Sequence, residues 1–247
     1  MEPYVKVDNV SLRFRLYRNR HPNIKEAVIH WLRGKSSDNG YQDFWAVRDV
    51  SLDFPAGSRV GIIGRNGAGK STLLRILSGI YQPTIGRVEH QGFLIPIFTV
   101  GFGFNGELTG RENIIQAGAI MGITQKEMAR RVDHIMQFAE LEKFVDTPVK
   151  YYSTGMAMRL AFTTATEVSP DILLLDEVFG GGDVGFQEKA LNRLEKLIER
   201  TKVVIMVSHD MSIIERFCNR AVWLRDGQLT ADGPPGEVIP RYLAAMT

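Results

Sequence analysis

Residues 59–77, RVGIIGRNGAGKSTLLRIL, decide the fold. An apolar run, RVGII, leads straight into Gly64-Arg65-Asn66-Gly67-Ala68-Gly69-Lys70-Ser71, which satisfies G-x-x-x-x-G-K-[ST] completely. Glycines let successive backbone N–H groups curl inward around phosphate oxygens, where a Cβ would obstruct. Lys70 supplies a point charge between β- and γ-phosphates, the Ser71 hydroxyl suits Mg²⁺, and Thr72 continues the loop. The apolar helix expected over LLRILSGI would point its positive end at the same anion. A chance glycine-rich turn has no need of a strand before it and a helix after it. Both are present, so the chain reads as α/β, a P-loop NTPase core with a mainly parallel sheet.

Working outward, ILLL at 172–175 and VVIMV at 203–207 are apolar without alternation, as in a parallel sheet covered on both faces. The first ends in Asp176-Glu177. Asp176 would hold the metal, directly or through water, and Glu177 would polarise the attacking water as general base. Between the two runs Phe186, Ala190, Leu194, Leu197 and Ile198 share one helical face. Toward the N-terminus, residues 4–14 read as strand, 17–21 as a basic turn, 35–43 as a polar loop and 44–54 as a second strand region. Pro22 opens and Gly34 closes an amphipathic helix carrying Ile24, Ala27, Val28, Trp31 and Leu32. Thr124 with Glu127 marks a capping box, opening a helix that buries Met128, Val132, Ile135, Met136 and Ala139. The tail AVWLRDGQLTADG predicts a hairpin turning at Asp226-Gly227, and a last helix follows.

Composition closes off several classes. Cys218 is the only cysteine of 247 residues, which excludes a disulfide framework and fits a reducing compartment. Thirty Lys and Arg against 28 Asp and Glu are too balanced to mark a polyanion binder. No apolar run approaches the ~20 residues that span a bilayer, and MEPYVKVDN is not the start of a signal peptide. The chain is expected to be one domain that can sit against a channel without being one.

Three further stretches complete a set. Tyr152-Ser153-Thr154-Gly155-Met156 lies shortly before Asp176, Asp183 follows the glycine run 180–182, and Val207-Ser208-His209-Asp210 closes the second buried strand. In this order, from about residue 4 to 245, the motifs resemble the ATP-binding cassette of ABC transporters. The resemblance implies an antiparallel β subdomain, a helical subdomain over about 95–165, and a head-to-tail homodimer with two ATP molecules between the subunits. Each ATP, with Mg²⁺ on Ser71 and Asp176, would lie on one phosphate loop and under the other subunit's Ser153 and Gly155. His209 would contact the γ-phosphate, and Asp183 corresponds to the family's aspartate beside the nucleotide. Taken alone, Ser153 could simply cap a helix, and a lone histidine is commonly structural.

YSTGM, where the family usually has Leu-Ser-Gly-Gly-Gln, is similar to cassettes that export bacterial polysaccharides such as O-antigen, teichoic acid and cell-wall galactan. So are Leu108-Thr109-Gly110-Arg111-Glu112-Asn113-Ile114, Asp176-Glu177-Val178 and Phe186-Gln187. The inserted helix 22–34 resembles an element near the membrane in those exporters, or packs on its own domain. Arg13, Arg15, Arg18, Arg20 and His21 fit an anionic lipid surface, an acidic partner or a solvated face. Residues 95–108 lack the family's usual Gln and carry Val100-Gly101-Phe102-Gly103-Phe104, with Thr99 where the subgroup often has an acid. Phe102 and Phe104 engage a partner or the local core. For the adenine-stacking aromatic Tyr17 fits first and Phe14 second. The chain stops at Thr247 after its last helix, so no added carbohydrate-binding domain is expected.

What this resemblance implies is an ATPase powering export of a lipid-linked polysaccharide across the bacterial inner membrane. It would sit peripherally on the cytoplasmic face, bound to a separately encoded polytopic membrane subunit, with no nucleic acid partner and only indirect contact with cargo. Two rivals are a nucleotide-gated regulator of a soluble partner and the cassette of an ordinary small-molecule transporter. Against the first stands the lack of coiled-coil insertions, and against the second the signature and the inserted helix.

Overall fold

The computed structural model describes residues 2–17, 41–98, 104–176 and 184–246. Six strands form one sheet: β3 (Arg59–Ile63), β5 (Leu94–Ile97), β6 (Ile172–Asp176), β7 (Val203–Val207), β8 (Arg220–Arg225) and β9 (Gln228–Gly233). Their order is β5-β6-β7-β3-β8-β9, parallel throughout except for the β8–β9 hairpin. That hairpin turns with φ of 50° at Asp226 and 78° at Gly227, the left-handed pair that an Asp-Gly type I′ turn requires. A second sheet, antiparallel in the order β2-β1-β4, is built from β1 (Tyr4–Tyr17), β2 (Tyr41–Phe54) and β4 (Ile85–Gln91).

The unalternating apolar runs follow from what covers the parallel sheet. Ile172, Leu174, Val203 and Ile205 face a core shared with the antiparallel sheet and with α1 (Lys70–Leu77), whose Leu73, Leu74, Ile76 and Leu77 are buried there. Leu173, Leu175, Val204 and Met206 face the other way. They pack under α6 (Val184–Arg200), α7 (Met211–Phe217) and α8 (Pro235–Ala244). Both faces are dry, so neither phase of the strand tolerates a polar residue.

A third core holds the helical layer: α2 (Gly110–Ile120), α3 (Gln125–Ala129), α4 (Val132–Ala139) and α5 (Thr154–Thr166). The single helix expected from Thr124 onward is two. Thr124 does cap its start by accepting from the Glu127 N–H. The chain then tightens, with the Arg131 N–H bonding to the Met128 carbonyl three residues back. The Arg131 guanidinium is drawn to Glu127 and to the Glu167 carbonyl. Residues 41–43, expected in a polar loop, are strand, because Tyr41, Gln42 and Asp43 pair with Tyr17, Leu16 and Arg15. An Arg13–Asp43 ion pair at 2.9 Å spans the two strands diagonally there. Residues 95–97 of β5 open the stretch of about 95–165 expected to be helical, yet they join the parallel sheet, and the layer's helices run from Gly110 to Thr166. The expected helix 22–34 falls outside the described residues. Among the described residues, no helix is long and apolar enough to cross a membrane.

Candidate functional site

Parallel pairing brings three strand ends level. Ile62 of β3 and Asp176 of β6 both sit opposite Val207 of β7, so the segments after all three leave the same edge of the sheet. Ligands of open α/β sheets bind at that carboxyl edge. The phosphate loop, Asp176 and His209 share it.

The loop's shape is set by glycine where nothing else fits. A Cβ on Gly64 would stand 2.3 Å from the Leu224 carbonyl oxygen, and one on Gly69, at φ +98°, 2.4 Å from that of Ala46. The loop is thus wedged between β8 and β2. It is also tied from below: the Gly227 N–H donates to the Ala68 carbonyl at 3.1 Å, and the Arg48 N–H to the Gly227 carbonyl at 2.8 Å. Asp226-Gly227, readable in the sequence only as a hairpin, is therefore the floor of the loop as well. Lys70 is buried, and its Nζ donates to the Gly64 and Arg65 carbonyls at 2.9 and 3.1 Å. Those bonds strut the loop so that its carbonyls point at the lysine. No side chain caps the start of α1, which leaves its first N–H groups for an anion. Ser71 and Thr72 follow in the first turn, both half-buried.

Asp176 supplies the test for a metal. Its Oδ1 is buried and, among the described residues, has no hydrogen-bond partner. A buried carboxylate oxygen with no donor is costly, and a divalent cation satisfies it. A carboxylate and a serine hydroxyl are the hard oxygen ligands Mg²⁺ takes alongside phosphate and water. The donor set at this edge fits that ion.

After β7, Ser208 is buried and its Oγ accepts from the Asp210 N–H at 3.0 Å. Asp210 caps α7, accepting from the Ser212 hydroxyl at 2.6 Å and from its N–H at 2.9 Å. Those hydrogen bonds hold the Asp210 carboxyl below its ordinary range. Between these two fixed residues His209 stands exposed.

Ser153 and Gly155 lie elsewhere, at the start of α5 in the helical layer. Ser153 is exposed and caps that helix, accepting from the Met156 N–H at 3.2 Å. A Cβ on Gly155 would meet only Ser153 Oγ, at 3.9 Å, so the helix end is open in front of it. Behind it Tyr152 is anchored, its hydroxyl donating to the Phe144 carbonyl at 2.6 Å, and burial raises the hydroxyl's pKa. Gly110 makes room for that hydroxyl, since a Cβ there would stand 2.5 Å from it. The stretch 108–114 is thereby explained in part. Thr109 and Glu112 form a complete capping box, a signal that T-x-x-E spells in the sequence. Buried Asn113 clamps the preceding loop by donating to the carbonyls of Asn105, Leu108 and Thr109.

Phe104 packs against the helical-layer core. Phe14 packs edge-on against Tyr81, centroids 5.6 Å apart, at the core between the sheets. Tyr17 ends β1 opposite Tyr41. Glu177, Asp183, Arg18, Arg20, His21, Thr99 and Phe102 lie outside the described residues.

The family described as "ABC transporter" matches residues 47–180. The O-antigen export system ATP-binding protein RfbB of Klebsiella pneumoniae is 38% identical over 246 residues, covering 100% of both chains. A protein of the same name from Myxococcus xanthus is 41% identical over 237 residues, 96% of this chain but 54% of that one. The chain thus spans about half the length of the Myxococcus relative. A solved ATP-binding subunit of an ABC transporter superposes with a TM-score of 0.72 at 22% identity, over 96% of this chain and 92% of that one. That likeness shows the same fold.

Proposed function

We propose, on the premise that this chain belongs to the ABC transporter family, that it hydrolyses ATP to power export of a lipid-linked polysaccharide across the bacterial inner membrane. The phosphate loop beside the partnerless Asp176 oxygen carries the hydrolytic half of this reading. Full-length likeness to an O-antigen export ATP-binding protein supports the cargo class. The working unit is a head-to-tail homodimer on the cytoplasmic face of the membrane, bound to a separate polytopic membrane subunit.

In this reading the amides of Gly64, Arg65, Asn66, Gly67, Ala68 and Gly69 surround the phosphates. Lys70, exchanging its carbonyl partners for phosphate oxygens, spans the β- and γ-phosphates, and Thr72 completes the loop's polar contacts. Ser71 and Asp176 hold Mg²⁺, which when bound neutralises charge on the phosphate oxygens. Glu177 takes the proton of the attacking water, and His209 positions the γ-phosphate from beyond β7. Ser153 and the Gly155 amide of the second subunit close over the same phosphate, with Asp183 beside them. Tyr17 stacks on adenine, since Phe14 is already engaged by Tyr81.

The test is affinity purification of the tagged chain from detergent-solubilised membranes, followed by phosphate-release assays. A multi-spanning protein recovered at one-to-one, with turnover abolished and ATP binding kept in Glu177→Gln, is the expected outcome. Recovery only from the soluble fraction would overturn the transport reading. Near-normal turnover by Glu177→Gln would remove Glu177 as the base.

A further inference from the structure

At the amino ends of the strands, opposite the nucleotide edge, two cavities adjoin. One of about 480 Å³ lies between α6 and the helical layer. The other, of about 460 Å³, lies beneath β3, β7 and the end of α7. Arg200, the last residue of α6, lines both.

Their walls are basic. Lys189, Arg193, Lys196 and Arg200 recur at three- and four-residue spacing along α6, forming one stripe. Arg59, Lys202 and Arg216 continue it across the second cavity. Only two carboxylates, Glu167 and Glu199, line the pair. The whole chain carries a net charge of only +2, so the band gathers positive charge that the rest of the molecule offsets.

Part of this charge is used internally. Arg193 pairs with Glu167, Lys189 with Glu140 and Arg216 with Glu195. The remainder is not. Among the described residues no salt bridge engages Lys196, Arg200, Lys202 or Arg59. The Arg200 Nε donates only to the Lys196 carbonyl, and Arg59 reaches the Glu199 carbonyl at 3.4 Å.

We propose that the two cavities form one docking groove for an acidic, extended segment of another protein. Length argues for a segment over a single phosphate, since Lys189 to Arg200 spans roughly 16 Å at 1.5 Å per helical residue. Nucleic acid lacks its stacking platform. The Phe138 ring is covered by Lys189 at 4.5 Å and by Arg193 at 4.3 Å, and the Phe217 ring by Arg216 at 4.9 Å. Carboxylates entering the groove would meet the four cations that lack an ion pair. Such contacts set partner choice and association rate and weaken with salt. The groove is reached without passing the nucleotide edge, so a partner can sit there while ATP is bound.

The measurement is fluorescence anisotropy of a labelled decaglutamate peptide at low salt, against the wild-type chain and two double variants. Lys196→Glu with Arg200→Glu should raise Kd at least tenfold. Lys126→Glu with Arg130→Glu, an equal charge change at exposed positions in α3 and at its C-cap, should change it less than twofold. All these substitutions are at exposed positions, and unchanged ATP binding reports that each variant is folded. Absence of peptide binding to the wild type, or equal weakening by both double variants, would overturn the proposal. So would binding to phosphatidylglycerol vesicles that is lost with Lys196→Glu and Arg200→Glu while the peptide fails to bind.

Discussion

The Oδ1 of Asp176 is buried at the end of β6, with no hydrogen-bond partner among the described residues. An ionised oxygen left in that state costs free energy in the empty protein, and the cost is recovered only when a cation arrives. The change Asp176→Asn separates these two roles. A neutral amide is cheaper to bury, so the ligand-free variant should melt at or slightly above the wild-type temperature. With Mg-ATP present, the wild type should gain stability, about 2.7 kcal/mol at a hundred times Kd, and the variant should gain much less. Turnover should fall roughly 100-fold, the scale of losing one group that stabilises developing charge. A variant that melts lower when empty, yet responds to Mg-ATP as the wild type does, would mean that Asp176 holds the structure and not the metal. The loop's glycines were legible in the sequence because positions such as Gly64 and Gly69 leave no room for a Cβ. The Lys70 bonds to Gly64 and Arg65 were not, since they depend on how the loop closes on itself in three dimensions.

Helix α5 asks a different question of Ser153, which caps the element whatever else it does. Losing a capping hydroxyl costs about 1 kcal/mol, or a fall of roughly 2–4 °C in melting temperature for a chain of this size. Ser153→Ala should show that fall, measured by calorimetry, together with a loss of turnover many times larger than the fall explains. Ser153→Asp splits the two roles. Aspartate caps as well as serine, so stability should return, whereas its charge would repel a γ-phosphate and turnover should stay lost. Restored turnover in Ser153→Asp would reduce Ser153 to a cap. Elements were read from sequence where periodicity and punctuation agreed, as in β6, β7, α6 and the Asp226-Gly227 hairpin. They were misread where a tertiary contact decided. The break between α3 and α4 follows Arg131 reaching for Glu167, a residue far along the chain, and the added length of β2 follows its pairing with β1. No local pattern encodes either.

At the scale of the whole molecule, the loop and Asp176 lie on one edge of the parallel sheet, while Ser153 and Gly155 open from the helical layer, which has a core of its own. The proposed chemistry needs both groups on one phosphate, and a second copy turned head-to-tail would supply the missing half to each site. ATP would then be part of the interface, its γ-phosphate bridging the two surfaces. Hydrolysis removes that bridge, so a cassette that turns over should leave the dimer about as fast as it forms. Glu177→Gln, in which ATP is bound but not cleaved, should therefore sediment at twice the mass of the 27.8 kDa chain when MgATP is present. It should return to monomer with ADP, and Ser153→Asp in the same background should abolish the shift. A Glu177→Gln chain that stays monomeric with saturating MgATP would mean that two nucleotides and two cassettes do not suffice. The membrane subunit would then have to hold the pair together, and purifying the variant with that subunit should restore stoichiometric retention of ATP.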